Sequence, residues 1–411
     1  MPTEKKKGGA PVLPLSGVRI ADFSRLLPGP WCSQLLGDFG ADVIKVEQPA
    51  VGDYSRHNPP AYKEGSVYFH SVNQNKRSIA VDLASPDGLD VARRLFKTCD
   101  AVIESFRPGV PQKLQIDYAA AHKINPKLVY CSISGYGQDG PLARVPGHDL
   151  VIQSMTGLMG VNLANDPQPS PPGFLAGDYA GAAMATIGVM AGVMQARQTG
   201  EGCYIDLSMF DSLFYMNNIV LTGAMARLAG QSGLPTLQAF GGNPRYNVYV
   251  CKDGKPVAVS LLEARQWKQF CEVIGRTDMI FADEGPDSRL SDHGERSELF
   301  RGTIRDFCAS MDRAPLLALM EEHQIPIAPV NTPDEALQEP VVAARGLVDY
   351  TDHPVEGRIP HLVSPYKRAG LTRDRRTDAP GLGADSAEIL RELGYKDGEI
   401  AKLRKSGVVT S

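Results

Sequence analysis

Asp178 is the residue best placed to do chemistry. It lies in Phe174-Leu-Ala-Gly-Asp-Tyr-Ala-Gly-Ala-Ala183, ahead of a run of Ala, Gly, Met and Val over residues 180–194, and no other acid intervenes before the polar turn Gln198-Thr-Gly-Glu-Gly202. That position predicts a helix start, where a carboxylate can accept an orphan N–H and the macrodipole favours its ionised form. A plain N-cap and a catalytic carboxylate both fit, and the surrounding glycines, which let a ligand approach closely, tip the balance slightly toward the second. His148 is a second candidate. It follows Pro146-Gly147 and precedes Asp149 at the entrance to an apolar segment of helical spacing, residues 150–160, where an imidazole could accept a proton or serve structure alone.

Polar clusters accompany these two residues. Asn73-Gln-Asn-Lys-Arg-Ser78 precedes an expected strand, whereas Glu104-Ser-Phe-Arg-Pro-Gly109 and Ser134-Gly-Tyr-Gly137 follow one. Lys76 and Arg77 fit a solvated edge, yet cations beside glycine turns also suit a phosphate-bearing ligand. Gly135-Tyr-Gly-Gln-Asp-Gly140 has the spacing of a dinucleotide fingerprint, but Pro141 follows and no amphipathic helix begins there to receive a pyrophosphate. That motif is rejected. No P-loop, H-E-x-x-H or G-x-S-x-G motif occurs.

The elements that must position these residues alternate. Strand 18–23, helix 31–39 opened by Pro28-Gly-Pro30, and strand 43–47 form a βαβ unit. Strand 78–83, helix 86–98 capped by Ser85, and strands 101–104 and 128–133 continue the pattern. The expectation is an α/β fold with a doubly wound, Rossmann-like parallel sheet whose ligands gather at the carboxyl ends of its strands. A polar, glycine-broken connection follows residue 222. Beyond it, a hairpin over 246–260 around Asp253-Gly254 and helices 263–274, 297–308 and 314–323 read as a smaller α+β domain. The expected division is a disordered tail at 1–12, a large domain of 13–225 plus 330–411, and a small domain of 226–329. The C-terminal part reads as irregular and proline-rich up to a final helix at 386–393.

Composition narrows the class. In 411 residues, 43% apolar and 22% charged residues describe an ordinary globular chain, and a net charge of −4 gives no support to a nucleic-acid binder. The seven cysteines are scattered without zinc-ligand spacing. No metal, nucleic-acid or membrane partner is expected, and a cytoplasmic location is.

The quoted motifs, with Leu15-Ser-Gly-Val-Arg-Ile-Ala-Asp-Phe23, Gly40-Ala-Asp-Val-Ile-Lys-Val-Glu47 and Gly177-Asp178, together resemble the class III, or CaiB/BaiF, CoA-transferases, a family that also holds formyl-CoA transferase and the α-methylacyl-CoA racemases. The resemblance implies two subunits interlocked as a homodimer, with CoA or acyl-CoA as a substrate rather than a tightly bound cofactor, and a small carboxylic acid as acceptor. It gives Asp178 the role of nucleophile, forming an aspartyl anhydride and then an aspartyl-CoA thioester. Arg25, Leu26, Lys45, Asn75, Lys76, Arg77, Ser105, Phe106, Lys113 and Tyr136 match stretches that hold CoA, with Phe106 near the adenine, and Gly241 and Gly242 match a glycine loop over the site. Leu27 and Gln48 replace a glutamine and an arginine of formyl-CoA transferase, which argues against a formyl/oxalate substrate. Gly147-His148-Asp149 has the racemase form, in which His148 and Asp178 would act as an acid–base pair, while Asn73-Gln-Asn-Lys-Arg-Ser78 has the transferase form. Transfer is the favoured reading, racemisation the alternative, and a non-catalytic CoA-binding protein a third. Arg144 and Arg245 are candidates for holding a dicarboxylic acceptor.

Overall fold

Strands β1 (Arg19–Asp22), β2 (Asp42–Glu47), β3 (Lys76–Val81), β4 (Ala101–Glu104), β5 (Val129–Ser134) and β6 (Tyr204–Ser208) pair in parallel. A computed structural model describes residues 12–162, 168, 170–231 and 237–410. The tail expected at 1–12 lies outside the described residues, except for Val12. Across the sheet the order is β3, β2, β1, β4, β5, β6, with the short strand Val409–Thr410 antiparallel on the outer side of β3. The order reverses between β1 and β4, so the loops leaving those two strands diverge and open a crevice at their carboxyl ends.

Local sequence explains the connecting elements. Helix α1 (Pro28–Asp38) starts with Pro at its first turn, where the missing N–H costs nothing, and the chain leaves it through Gly40 at a φ of 105°. Helix α2 (Val67–Val72) is capped by Ser66. In α3 (Pro86–Thr98) the Ser85 hydroxyl accepts the Gly88 N–H at 3.0 Å, as the sequence predicts. Its buried stripe of Val91, Ala92, Leu95 and Phe96 packs with Ile79, Val102 and Tyr130. Each fully buried aliphatic or aromatic side chain of this kind contributes about 1.5–3 kcal/mol. Short helices α4 (Val110–Lys113), α5 (Tyr118–Ile124) and α6 (Asp149–Met155) lead to the long helix α7 (Ala176–Thr199), and α8 (Met209–Met216) follows β6.

Helix α7 is long and apolar enough to cross a membrane by length and composition, but half of that stretch is buried. Its glycines explain how it lies so close to its neighbours. A Cβ at Gly181 would stand 2.9 Å from Met209, and one at Gly192 2.9 Å from Val129.

The chain divides into a large unit (Met1–Thr156, Pro172–Met216, Val341–Ser411) and a small one (Gly157–Pro171, Asn217–Pro340). The small unit holds an antiparallel sheet of Tyr246–Val250, Pro256–Ser260 and Ile327–Pro329 over a core that includes Trp267, Phe270 and Phe300. It runs further than the 226–329 read from sequence. One reason is that Glu335, on helix Pro333–Leu337, pairs with Arg313 at 2.6 Å and ties that helix to the small unit.

The C-terminal part is more regular than expected. Val348–His353 and Gly357–Leu362 form a hairpin, and a helix at Asp397–Lys405 follows the expected one at Ser386–Glu392. The hairpin escapes a pattern reading because both strands are half-exposed and carry charged and polar residues on each face. Arg376 pairs with buried Asp38, Asp385 accepts the Ser78 N–H at 2.8 Å, and Ser386 donates to the Thr410 carbonyl at 2.7 Å, so the C-terminal segment closes onto the large unit's own sheet.

Val409, 1% exposed at the sheet edge, tests that closure. Val409→Asp buries an unpaired charge and should lower stability by about 3 kcal/mol, measured by denaturant unfolding.

Candidate active site

The loops at the carboxyl ends of β1, β4 and β5 line a cleft of about 990 Å³ in the large unit. Arg25, Leu26 and Pro28 come from the β1 loop, Ser105–Gly109 and Lys113 from the β4 loop and α4, and Ile133–Gly135 from the end of β5. Segment 143–148, Tyr54, Tyr68, Met209 and Asp178 complete the wall. Among the described residues lining it, Asp178 is the one acid, and Arg25, Arg107, Lys113 and Arg144 line other parts of the wall.

Buried charge sets the shape of the β1 loop. Leu26 adopts a φ of 66°, rare for a branched side chain. The conformation is held from below: Leu26 N–H donates to Asp53 Oδ1 at 3.1 Å, and Arg25 N–H donates to Ser105 Oγ at 3.1 Å. Lys45, fully buried, pairs with Asp53 at 2.8 Å and donates to the Ser24 carbonyl at 3.1 Å. Burial raises the Asp53 carboxyl, but the Lys45 ammonium and the Ser55 and Leu26 N–H groups together offset this and hold it below the ordinary carboxylate range. Lys76 is likewise enclosed, pairing with Asp22 at 3.2 Å and donating to Asn73 and the Pro30 carbonyl.

The β4 loop meets the β1 loop at the switch point. The Arg25 guanidinium lies 5.5 Å from the Phe106 ring centre and 5.1 Å from that of Tyr54, within cation–π range. An aromatic ring edged by Arg25, Arg107 and Lys113 can receive a planar base and its phosphates.

At the other wall, Asp178 is the third residue of α7, and the capping role expected of it belongs to Asp149. The Asp149 Oδ1 accepts the Gly177 N–H at 2.7 Å and the Asp178 N–H at 3.2 Å, and its Oδ2 accepts from Gln153. This frees the Asp178 carboxyl to face the cleft. It also overturns the expectation of a simply ionised group: burial, and then the Asp149 charge, push Asp178 up to about 7. Tyr68 senses the same carboxylate, its phenol raised by burial and then by Asp178. His148, exposed at the N-cap of α6 without a side-chain capping bond, lines the same cleft.

The structure therefore gathers Asp178, His148, Arg25, Leu26, Ser105, Phe106 and Lys113 around one cleft. Other residues assigned to CoA by resemblance lie away from its wall. Lys45 and Lys76 are buried in ion pairs; a lysine ammonium so enclosed holds the β1 loop rather than touching a ligand. Asn75, at a φ of 62°, donates to Asp38 and accepts the Thr377 N–H, while Arg77 pairs with Asp42 and Glu392. Both lie near the amino end of β3, where the ladder with β2 begins. Tyr136 packs its ring near Phe210 and directs its hydroxyl to Met155.

Gly241 and Gly242 belong to a tight turn of the small unit, where the Gly242 carbonyl accepts from Arg301 at 3.1 Å. Arg245 is 1% exposed, pairs with Glu284 at 2.6 Å and donates to the Leu261 carbonyl. With its donors so engaged it is not available to a substrate acid, which removes it as an acceptor-binding candidate. Arg144 remains in the cleft wall. Residue types alone do not single out Tyr54, Tyr68 or Arg107; the available signal for Arg107 was its place beside Phe106 in Glu104–Gly109.

Comparison with known proteins covers nearly the whole chain. The family model described as CoA-transferase family III matches residues 15–386. The succinyl-CoA:glutarate CoA-transferase of Mus musculus is 34% identical over 400 residues, spanning 96% of this chain and 90% of the relative. The succinate–glutarate CoA-transferase of Agrobacterium fabrum is 32% identical, spanning 92% and 96%. A solved CaiB/BaiF family protein from Brucella suis superposes with a TM-score of 0.78 at 30% identity, over 93% of this chain and all of the other.

Because the fold disfavours a charged Asp178, a neutral isostere should stabilise it. The unfolded carboxyl ionises at its ordinary low pKa, so the cost of keeping Asp178 in the fold grows with pH from there up to about 7 and then levels off. Asp178→Asn should raise the melting temperature by a few degrees near pH 8 and by less near pH 5.5. Calorimetry at the two pH values checks both the sign and the order.

Proposed function

The chain belongs to CoA-transferase family III and is a CoA-transferase, and we propose that it moves CoA from a dicarboxylic acyl-CoA, such as succinyl-CoA, to a second small carboxylic acid through covalent catalysis at Asp178. The observation that carries this reading is the placing of a single acid, Asp178, in the wall of a cleft otherwise edged by cations and aromatic rings.

The steps follow from the chemistry of a carboxylate nucleophile. An Asp178 oxygen attacks the thioester carbonyl, the C–S bond breaks, and CoA leaves as thiolate with the acyl group held as a mixed anhydride. The thiolate then attacks the Asp178 carbonyl carbon and expels the donor acid as carboxylate, giving an aspartyl-CoA thioester. The acceptor carboxylate repeats the sequence in reverse, taking the CoA and restoring the Asp178 carboxylate. No proton is consumed or released overall. Attack requires the ionised form, so a raised pKa limits the nucleophile available at acid pH while leaving it a stronger base and a better nucleophile when ionised.

The donor class is supported by the names of the relatives, which act on succinyl-CoA with glutarate or, in Haloarcula hispanica, mesaconate. Arg144 in the cleft wall suits the second carboxylate of such an acid. An interlocked homodimer, implied by the family resemblance, and a cytoplasmic location, expected from the sequence, belong to this reading. A racemase reading is kept because His148 and Asp178 share the cleft.

Incubation with succinyl-CoA and a panel of carboxylates, alongside 2-methylacyl-CoA in deuterated water, separates the chemistries. The expected result is CoA exchange without α-proton exchange, a loss of at least about a thousandfold in Asp178→Ala, and only a modest loss in His148→Ala. The kcat/KM profile of the wild type should rise as pH increases through about 7. Rapid α-deuteration abolished by His148→Ala would establish the racemase instead.

A further inference from the structure

Glu104 closes β4 and is fully buried, below the cleft rather than in its wall. Its Oε2 accepts the Phe106 N–H at 2.7 Å. No ion pair with a cation is formed among the described residues: Oε1 has no hydrogen-bond partner there, and the charge that bears on the carboxyl, Asp206 on β6, is of the same sign. Burial accordingly pushes the carboxyl up to about 7. A buried acid without a cation is a costly choice for a strand end. What it secures is the first turn of the segment Ser105–Gly109.

That turn carries contacts that cross the switch point. Ser105 receives the Arg25 N–H, and Phe106 presents its ring to the Arg25 guanidinium. If the Phe106 N–H loses its acceptor, the ring and the arginine facing it lose their common reference. The β1 loop keeps its separate anchor on Asp53.

We propose that Glu104 is a positioning residue for CoA: through the Phe106 N–H it fixes the Phe106–Arg25 pair at the nucleotide end of the cleft, and so sets affinity for CoA without acting on the acceptor acid or the transfer step. The inference rests on the CoA-transferase reading of the cleft. It assigns Glu104 no contact with substrate.

Glu104→Gln keeps an acceptor oxygen of the same reach, and a carboxyl already held near neutrality should tolerate the amide. Glu104→Leu removes the acceptor. The test measures KM for succinyl-CoA, KM for the acceptor acid and kcat in both variants, with direct CoA binding by calorimetry. The expected result for Glu104→Leu is a KM for succinyl-CoA and a Kd for CoA raised about tenfold, the scale of one lost charge-assisted hydrogen bond, with acceptor KM and kcat within about twofold. Glu104→Gln should restore CoA affinity to within about threefold of the wild type.

Unchanged CoA affinity in a folded Glu104→Leu protein overturns the inference, as does a parallel rise in both KM values, which marks a general disturbance of the fold. Should Glu104→Leu not fold, Glu104→Gln decides together with Phe106→Ala: a tenfold CoA defect in Phe106→Ala with near-normal Glu104→Gln supports the inference, and normal CoA affinity in Phe106→Ala overturns it. Failure of the wild type to exchange CoA with any acid would instead remove the underlying reading, and this inference with it.

Discussion

Backbone N–H groups donated to buried carboxylates hold the cleft in shape. Asp53 receives Leu26, Glu104 receives Phe106, and Asp149 receives Gly177 and Asp178. Each bond fixes a short turn that carries a cleft-lining side chain, and each is charge-assisted when the acid is ionised, so it is shorter and stronger than a bond between neutral groups. The acids differ in how their charge is compensated. Asp53 has Lys45 against it, Asp149 has the amide of Gln153 and the start of α7, and Glu104 has, among the described residues, the Phe106 N–H alone. A loop at a strand end has few apolar contacts to hold it, and these acids supply the missing constraint from beneath.

The same economy explains the state of Asp178. Placing Asp149 under the first turn of α7 gives the helix a firm start, but it also sets a second negative charge beside Asp178. Helix dipole and burial then act in opposite senses on Asp178, and burial with the Asp149 charge prevails. A carboxylate kept short of comfortable ionisation is more reactive toward a carbonyl than one stabilised by cations, and the fold bears the corresponding loss of stability. Functional sites commonly break the local rules that the rest of a structure obeys.

Much of this was legible in the chain itself. The alternation of strands and helices up to β5 is a matter of local periodicity, and Ser85, Pro28 and the Asp253-Gly254 turn mark boundaries that the structure keeps. That Asp178, His148 and Phe106 line one cleft was legible because the motifs around them combine glycine, proline and charge in unusual order. The ion pairs of Lys45 and Lys76 were not legible, because a lysine in a motif looks the same whether its ammonium faces a phosphate or an aspartate distant in sequence. Asp22 and Asp53 become their partners only when β1, β2 and β3 are side by side. The capping role of Asp149 was hidden for a related reason: its bond to Gly177 spans a segment that periodicity cannot bridge. Arg245 shows the converse, a cation drawn inward by Glu284 that charge alone would leave on the surface.

The large unit is assembled from both ends of the chain, with Val409–Thr410 laid against β3 and Ser386 bonded to Thr410. During synthesis the outer edge of β3 therefore waits, unpaired, until Val409 and Thr410 have emerged, while most of the small unit is drawn from one unbroken stretch and can settle earlier. An open strand edge is an invitation to wrong partners. A nascent chain of this design depends on the interval between emergence of β3 and emergence of Val409–Thr410, so slow translation of the stretch between them prolongs the exposure of that edge.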